Sequence, residues 1–191
     1  MRRRVLLATV GAAAVGGCTI GGNPPTQDGL SLRVPTFEDG TIPERYTCDG
    51  AGVSPPLVVE NLPDRTESVA IAGEWLQSFN PASGPSTIWL LWGLPANRPL
   101  EVPENIAPER TPDAVPGAKQ GRNDEGELGY RSPCHESPDD NEYRFIAFAL
   151  SESPDVEAGV TRDTFDDAIE STIVASTSTR ATYERFDGLE L

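Results

Sequence analysis

Lysine is almost missing from this chain, and histidine nearly so. Lys119 is the only lysine and His135 the only histidine, so the basic residues are almost all arginine, 15 in total against 30 acids. The resulting net charge of −15 rules against nucleic acid as a partner and against electrostatic attraction to anionic lipid. A cationic partner would fit this charge. So would adaptation to molar salt, because acidic, lysine-poor surfaces are those of extreme halophiles, and that reading suits an archaeal, extracytoplasmic protein. With one histidine, any Ser-His-Asp arrangement would have to use His135, which lies in a Pro-rich acidic loop and reads as a surface residue.

Other absences narrow the field further. The sequence has no Gly-rich phosphate loop, no dinucleotide-binding fingerprint and no zinc signature, so no cofactor is called for. Asp139, Asp140 and Glu142 lack the spacing of a calcium loop. Adjacent acids such as Asp166-Asp167 point apart on a helix or strand and read as solvated surface rather than a general acid/base pair. Nothing therefore points to an enzyme. Internal repeats, coiled-coil heptads and Asn-x-Ser/Thr acceptors are also missing, as is any long apolar run beyond the N-terminus.

That N-terminus reads as a targeting segment. Arg2-Arg3-Arg4 forms a basic region, Val5 to Val15 an apolar stretch too short for a stable span, and Ala14-Val15-Gly16-Gly17-Cys18 resembles a lipobox. Residues 1–17 are then a twin-arginine signal peptide, Cys18 the lipidation site, and 18–29 a flexible Gly/Asn/Pro tether ahead of a single domain at 30–191. The only membrane contact expected is through this lipid. An ordinary cleaved signal or a short uncleaved anchor fits the same residues. Removing 1–17 takes away three arginines and no acids, leaving 12 − 30 = −18.

Within the domain, 18 prolines and 18 glycines punctuate short apolar runs. Strands are expected at Leu30–Val34, Pro56–Glu60, Ser68–Gly73, Thr87–Leu94, Glu142–Leu150 and Arg180–Phe186, with Thr87–Leu94 central as the most apolar. Short strands with such turns imply an all-β sandwich or barrel. One helix is expected after Thr161 or Asp163, burying Phe165, Ala168, Ile169 and Ile173. The stretch from Gly121 to Ser151 organises the rest. Its turn residues lead through Ser132-Pro133-Cys134 into a strand whose Tyr143, Phe145, Ala147 and Ala149 share a face, and which finishes apolar on both. A long loop at the mouth of a buried strand is either functional or a connector tied down at Cys134.

With Cys18 assigned to lipid, Cys48 and Cys134 remain. Outside the cytoplasm two loop thiols usually pair, and a bridge from 48 to 134 contributes roughly 4 kcal/mol in the chain-entropy account. A metal site would need more soft ligands than these two and His135.

Phe37-Glu38-Asp39-Gly40-Thr41-Ile42-Pro43-Glu44-Arg45-Tyr46-Thr47-Cys48-Asp49-Gly50, followed by Ser54-Pro55-Pro56-Leu57, resembles the opening of the phosphatidylethanolamine-binding protein family, in its Raf-kinase-inhibitor-like branch (the YbhB/YbcL type). Gly121-Arg122-Asn123-Asp124, Gly129-Tyr130, Ser132-Pro133-Cys134, Tyr143-Arg144-Phe145 and Ala181-Thr182-Tyr183-Glu184-Arg185 agree in order and spacing. The resemblance covers Leu30 to Phe186. It implies a mainly β, Greek-key antiparallel β-sandwich with one or two peripheral helices, a small anion-binding pocket, and a monomer or homodimer.

At the pocket this chain departs from the family pattern. The family's Asp-Pro-Asp-x-Pro loop falls on Gln77-Ser78-Phe79-Asn80-Pro81, its His-Trp pair on Ile88-Trp89, its Gly-Pro-x-Pro-Pro loop on Ser132 to Glu136, and its His-Arg-Tyr start on Asn141-Glu142-Tyr143. Asp49, Gln77, Asn80, Trp89, Tyr130, Pro133, Asn141 and Tyr143 are the candidate contacts. Their neutral hydrogen bonds suit an apolar or uncharged polar ligand better than phosphate. The alternative is a kinase- or protease-inhibitor-like interaction module presenting the loop from Gly121 to Asn141, with the pocket filled by side chains.

Overall fold

A computed structural model describes residues 29–76, 84–135 and 141–185. The leader, Cys18, Gln77 and Asn80 lie outside them. The described chain forms strands β1 (Ser31–Arg33), β2 (Leu57–Glu60), β3 (Ser68–Trp75), β4 (Ser86–Pro95), β5 (Leu100–Val102), β6 (Lys119–Gln120) and β7 (Asn141–Leu150). Helix α1 (Arg162–Ile169) and strand β8 (Ile173–Tyr183) follow, and short 3-10 turns lie at Glu38–Gly40, Glu44–Tyr46 and Glu170–Thr172. The strands make two sheets, β1-β2-β5 and β6-β4-β3-β7-β8, and all strand pairs are antiparallel.

The molecule has three layers because the larger sheet is apolar on both faces. Val69, Ile71, Ile88, Leu91, Tyr143 and Phe145 face the small sheet, where Leu32, Leu57, Val59, Leu100 and Val102 meet them. Ala70, Ala72, Leu90, Trp92, Phe148 and Leu150 face the other way, onto Phe165 and Ile169 of α1. β3 is buried along its whole length and β4 along most of it, as fits inner strands covered on both sides. β7 alternates buried and half-buried until Ala147, then is buried throughout. Its expected course, with one face entering the core and both faces buried at the end, is what is found.

Two expectations about the C-terminal part need correction. The last strand starts at Ile173, not Arg180, and ends at Tyr183, so Ile173 belongs to β8 rather than to the helix stripe, and Ala168 is only half-buried. Ser, Thr and Ala in Ala175–Ala181 carry little apolar signal. The strand forms because β7 offers a complete edge, paired from Asn141↔Tyr183 to Ala149↔Ala175 in unbroken register. Thr161 holds the N-cap position without a side-chain cap bond. The helix start is instead fastened by Arg162, whose Nη1 donates to Glu74 Oε1 at 2.7 Å while its Nε donates to Asp166 at 2.7 Å. β5 and β6, of three and two residues, were not anticipated.

β4 carries a bulge that aims the site. Gly73 pairs with Trp89 and Glu74 with Thr87, so Ile88 is an extra residue, and Ile88 and Trp89 both face the small sheet. Gly73 leaves the space for this, since a Cβ there would lie 3.1 Å from Ile88 Cγ1 and 3.3 Å from Trp89 Cβ.

Candidate functional site

The loop after β6 is ordered because it continues along the edge of β4. Gly121 N donates to Leu90 O at 3.1 Å, Asp124 N to Thr87 O at 3.0 Å, and Arg131 N to Ile88 O at 2.8 Å. Asn123 Oδ1 accepts from Glu125 N and Glu127 N, and Asp124 Oδ2 accepts from Thr87 N at 2.8 Å. The Asx bonds of Asn123 and the bond from Asp124 to β4 use side-chain oxygens where a regular strand would use its neighbour, which is why the segment looks structureless in sequence yet holds its shape. It delivers Tyr130, Pro133, Cys134 and His135 to one end of the larger sheet.

There it meets the turn around residue 48. Cys48 is disulfide-bonded to Cys134, and Cys48 N donates to Pro133 O at 3.0 Å. The expected pairing is therefore present. Gly50 is needed in this turn, because a Cβ would stand 2.2 Å from Glu44 O.

All four tyrosines of the chain gather at this place, with its only histidine and two of its three tryptophans. Tyr130 donates to Tyr46 O at 2.9 Å and sets its ring edge-on to Trp89 at 5.6 Å. Trp89 is fully buried and donates to Gln120 Oε1 at 2.9 Å, while Gln120 Nε2 donates to Ala107 O and Glu109 O. Tyr143, also fully buried, shares a hydrogen bond of 3.1 Å between its hydroxyl and His135 Nδ1. The His135 ring stacks on Trp75 with centroids 3.4 Å apart and planes at 10°. Asn141 locks this pair, accepting from Trp75 Nε1 at 3.1 Å and donating to His135 O at 2.9 Å. Tyr183, opposite Asn141 on β8, donates to Asp49 Oδ2, and Arg185 Nε donates to Asp49 Oδ1 at 3.1 Å.

Ionisation follows from these contacts. Burial, reinforced by the Arg131 guanidinium and opposed by Glu125, lowers the His135 pKa to about 4, so the imidazole is neutral at neutral pH. Burial raises Tyr143 above the ordinary phenol range, against the opposing pull of Arg131 and of the His135 backbone. Burial raises Tyr130 well above it too, with Tyr143 and Tyr46 adding to the rise. Asp49 is held low by the Tyr183 hydroxyl and by Arg185.

Of the candidate contacts, Asp49, Trp89, Tyr130, Pro133, Asn141 and Tyr143 thus share one end of the sandwich. His135 requires a correction, because it is a half-buried member of the cluster rather than a surface residue. Its acidic sequence neighbourhood hid this, and nothing local announced the stacking partner Trp75, which lies two residues beyond the expected end of β3. Arg131 and Gln120 were likewise missed. Tyr183 and Arg185 lie in a motif that carried the resemblance.

A two-sheet antiparallel sandwich with one helix on its outer face and a polar, aromatic site where the main sheet meets a disulfide-tied loop defines the class. The chain belongs to the phosphatidylethanolamine-binding protein family, whose profile matches residues 34–184. Relatives described as UPF0098 proteins include one from Methanothermobacter thermautotrophicus, 34% identical over 162 residues, covering 82% of this chain and 99% of the relative. One from Chlamydia trachomatis is 34% identical with the same coverage. Among solved structures, a putative phosphatidylethanolamine-binding protein homolog from C. trachomatis superposes with a TM-score of 0.71 at 29% identity, over 84% of this chain and all of that one. E. coli YbcL, described as a member of the mammalian PEBP family, gives 0.72 at 21% identity over 82% and 99%, a likeness of fold.

Proposed function

We propose that this is a surface-tethered binding protein for a small, uncharged polar ligand with an apolar face, and not an enzyme. The observation that carries the reading is the Trp75–His135–Tyr143 arrangement. It sets a neutral imidazole, stacked on Trp75, against an un-ionised phenol in a site where Ile88 and Asn141 stand in place of the family pattern's histidines. Neutral donors and acceptors next to Trp89 and Tyr130 recognise hydroxyl or amide groups without the desolvation cost of a buried dianion. An imidazole with a pKa near 4 is a weak general base at neutral pH, which supports binding over catalysis.

Export and lipidation at Cys18 account for the leader, and a Cys48–Cys134 disulfide is what an oxidising compartment favours. Acidic, lysine-poor composition suits that setting in high salt.

A thermal-shift screen in molar KCl tests the reading, with neutral polyols and amides, small carboxylates, phosphate, nucleotides and phospholipid head groups. Neutral compounds should raise the melting temperature with concentration, and Tyr143→Phe and Gln77→Ala should weaken the effect. A shift by phosphate alone would overturn the ligand class. A flat result across all classes would favour the interaction-module reading.

A further inference from the structure

The two nitrogens of His135 have different surroundings. Trp75, only 4% exposed, covers one face of the ring, and Nδ1 faces the Tyr143 hydroxyl at 3.1 Å. Nε2 is left over. Among the described residues it has no hydrogen-bond partner, and it is not one of the buried atoms that lack one, so it reaches solvent. Asn141 holds the ring in this pose through His135 O and Trp75 Nε1.

A neutral imidazole carries one proton, and the hydrogen bond made by one nitrogen decides whether the other has it. Here Tyr143 decides. Its hydroxyl is un-ionised and so has a proton to donate. The His135 backbone pulls the Tyr143 pKa down, as a peptide N–H aimed at the phenol oxygen does. With that oxygen turned to the peptide, the phenol O–H is the group left for the imidazole, and Nδ1 accepts it. The ring proton is then on Nε2. Arg131 opposes a second ring proton, so this nitrogen is an uncharged donor.

We propose that His135 Nε2–H is the group that selects the ligand of this site, and that the ligand presents a carbonyl acceptor, as in a ketone, an ester or an uncharged amide. The inference rests on the small-ligand reading and narrows it from neutral polar compounds to hydrogen-bond acceptors. A carbonyl oxygen in the plane of the ring replaces the water on Nε2 with a direct bond. A ligand that only donates meets a second donor there, and both give up water without replacement. Charge is not what the site offers. The nearby Arg131 is already paired with Glu125 at 3.1 Å, and the chain as a whole carries −15.

Nitrogen NMR of the isotope-labelled full chain at neutral pH tests the tautomer without any ligand, since the chain has one histidine. Nε2 should carry the proton, and Nδ1 should resonate as an unprotonated acceptor. A proton on Nδ1 overturns the proposal and leaves the small-ligand reading standing. Binding of three probes of similar size then tests the selection: acetophenone, which only accepts, indole, which only donates, and benzoate. Acetophenone should bind roughly tenfold more tightly than indole, with the largest shift at the Nε2 resonance. His135→Phe keeps a ring against Trp75 and should erase the difference. Equal affinities for acetophenone and indole overturn the selection alone. Binding of neither overturns it too, and the wider screen then decides the small-ligand reading. Tighter binding of benzoate than of both neutral probes overturns the two together. If the phenylalanine variant does not fold, the tautomer and the wild-type affinities decide.

Discussion

The chemistry of the site turns on one side chain. His135 is neutral because its ring lies between Trp75 and Tyr143, near the Arg131 guanidinium, and a positive charge there is poorly solvated. Its pKa near 4 is below that of a histidine in the unfolded chain, about 6.5. Between those values the unfolded state binds the extra proton, so this contribution to stability is intact above pH 6.5 and is lost as pH falls toward 4. For a half-buried ring in partial contact with solvent, the effect is about 1 to 2 kcal/mol. Because the chain has a single histidine, its ring resonances in a proton NMR titration are unambiguous. A midpoint near 4 is expected, and one near 6.5 would mean that the stacked arrangement does not hold in solution. Asn141→Ala, which removes the lock on both rings, should move the midpoint upward. None of this was legible locally. The sequence places His135 among acids and prolines, and only the closing of β3, β7 and the disulfide-tied loop gives it Trp75 as a neighbour.

At the scale of elements, legibility followed apolar pattern. β3, β4 and β7 were readable because buried strands must be apolar, and the alternation in Tyr143, Phe145 and Ala147 reports one covered face. β8 was misplaced because its residues are small and hydroxylated, and its existence depends on β7. β5 and β6 are too short to show a period. The helix was found from Phe165 and Ile169, and these two residues hold it. Phe165 is fully buried against Trp92, with centroids at 5.6 Å, and Phe148, at 6.4 Å. Phe165→Ala should therefore cost roughly 3 to 4 kcal/mol in chemical denaturation. Arg162 joins the helix to Glu74, whose side chain is only 5% exposed and which also pairs with Arg144. Since Arg144 keeps the carboxylate partnered, Arg162→Met should cost much less, about 1 kcal/mol. Equal losses in the two variants would show that the ion network, rather than the ring contacts, fastens the helix.

For the molecule as a whole, the disulfide joins two of the segments that carry the site. Cys48 and Cys134 are 86 positions apart, so the bridge restrains β2 to β6 as one closed loop in the unfolded chain. A loop of that length corresponds to about 4 kcal/mol of unfolded-state entropy, and that part of the stabilisation is independent of any ligand. The bridge has a second, local consequence. It holds the Asp49 turn against the Pro133 and His135 segment, where, among the described residues, the backbone link is the bond from Cys48 N to Pro133 O. The pairing and its effect on the unfolded chain were legible from the cysteines alone, because pairing needs only two loop thiols and an oxidising compartment, whereas the local effect and the aromatic cluster behind it need the whole fold. The two effects separate experimentally in a Cys48→Ser, Cys134→Ser double variant. Its unfolding free energy should fall by about 3 to 4 kcal/mol with the β-sheet circular dichroism retained at low temperature, since the two apolar cores do not depend on the bridge. The His135 titration should then shift toward 6.5 in the folded variant if the bridge also positions the stacked ring. A midpoint that stays near 4 would show that Trp75, Tyr143 and Asn141 hold the ring by themselves, and would limit the disulfide to its effect on the unfolded chain.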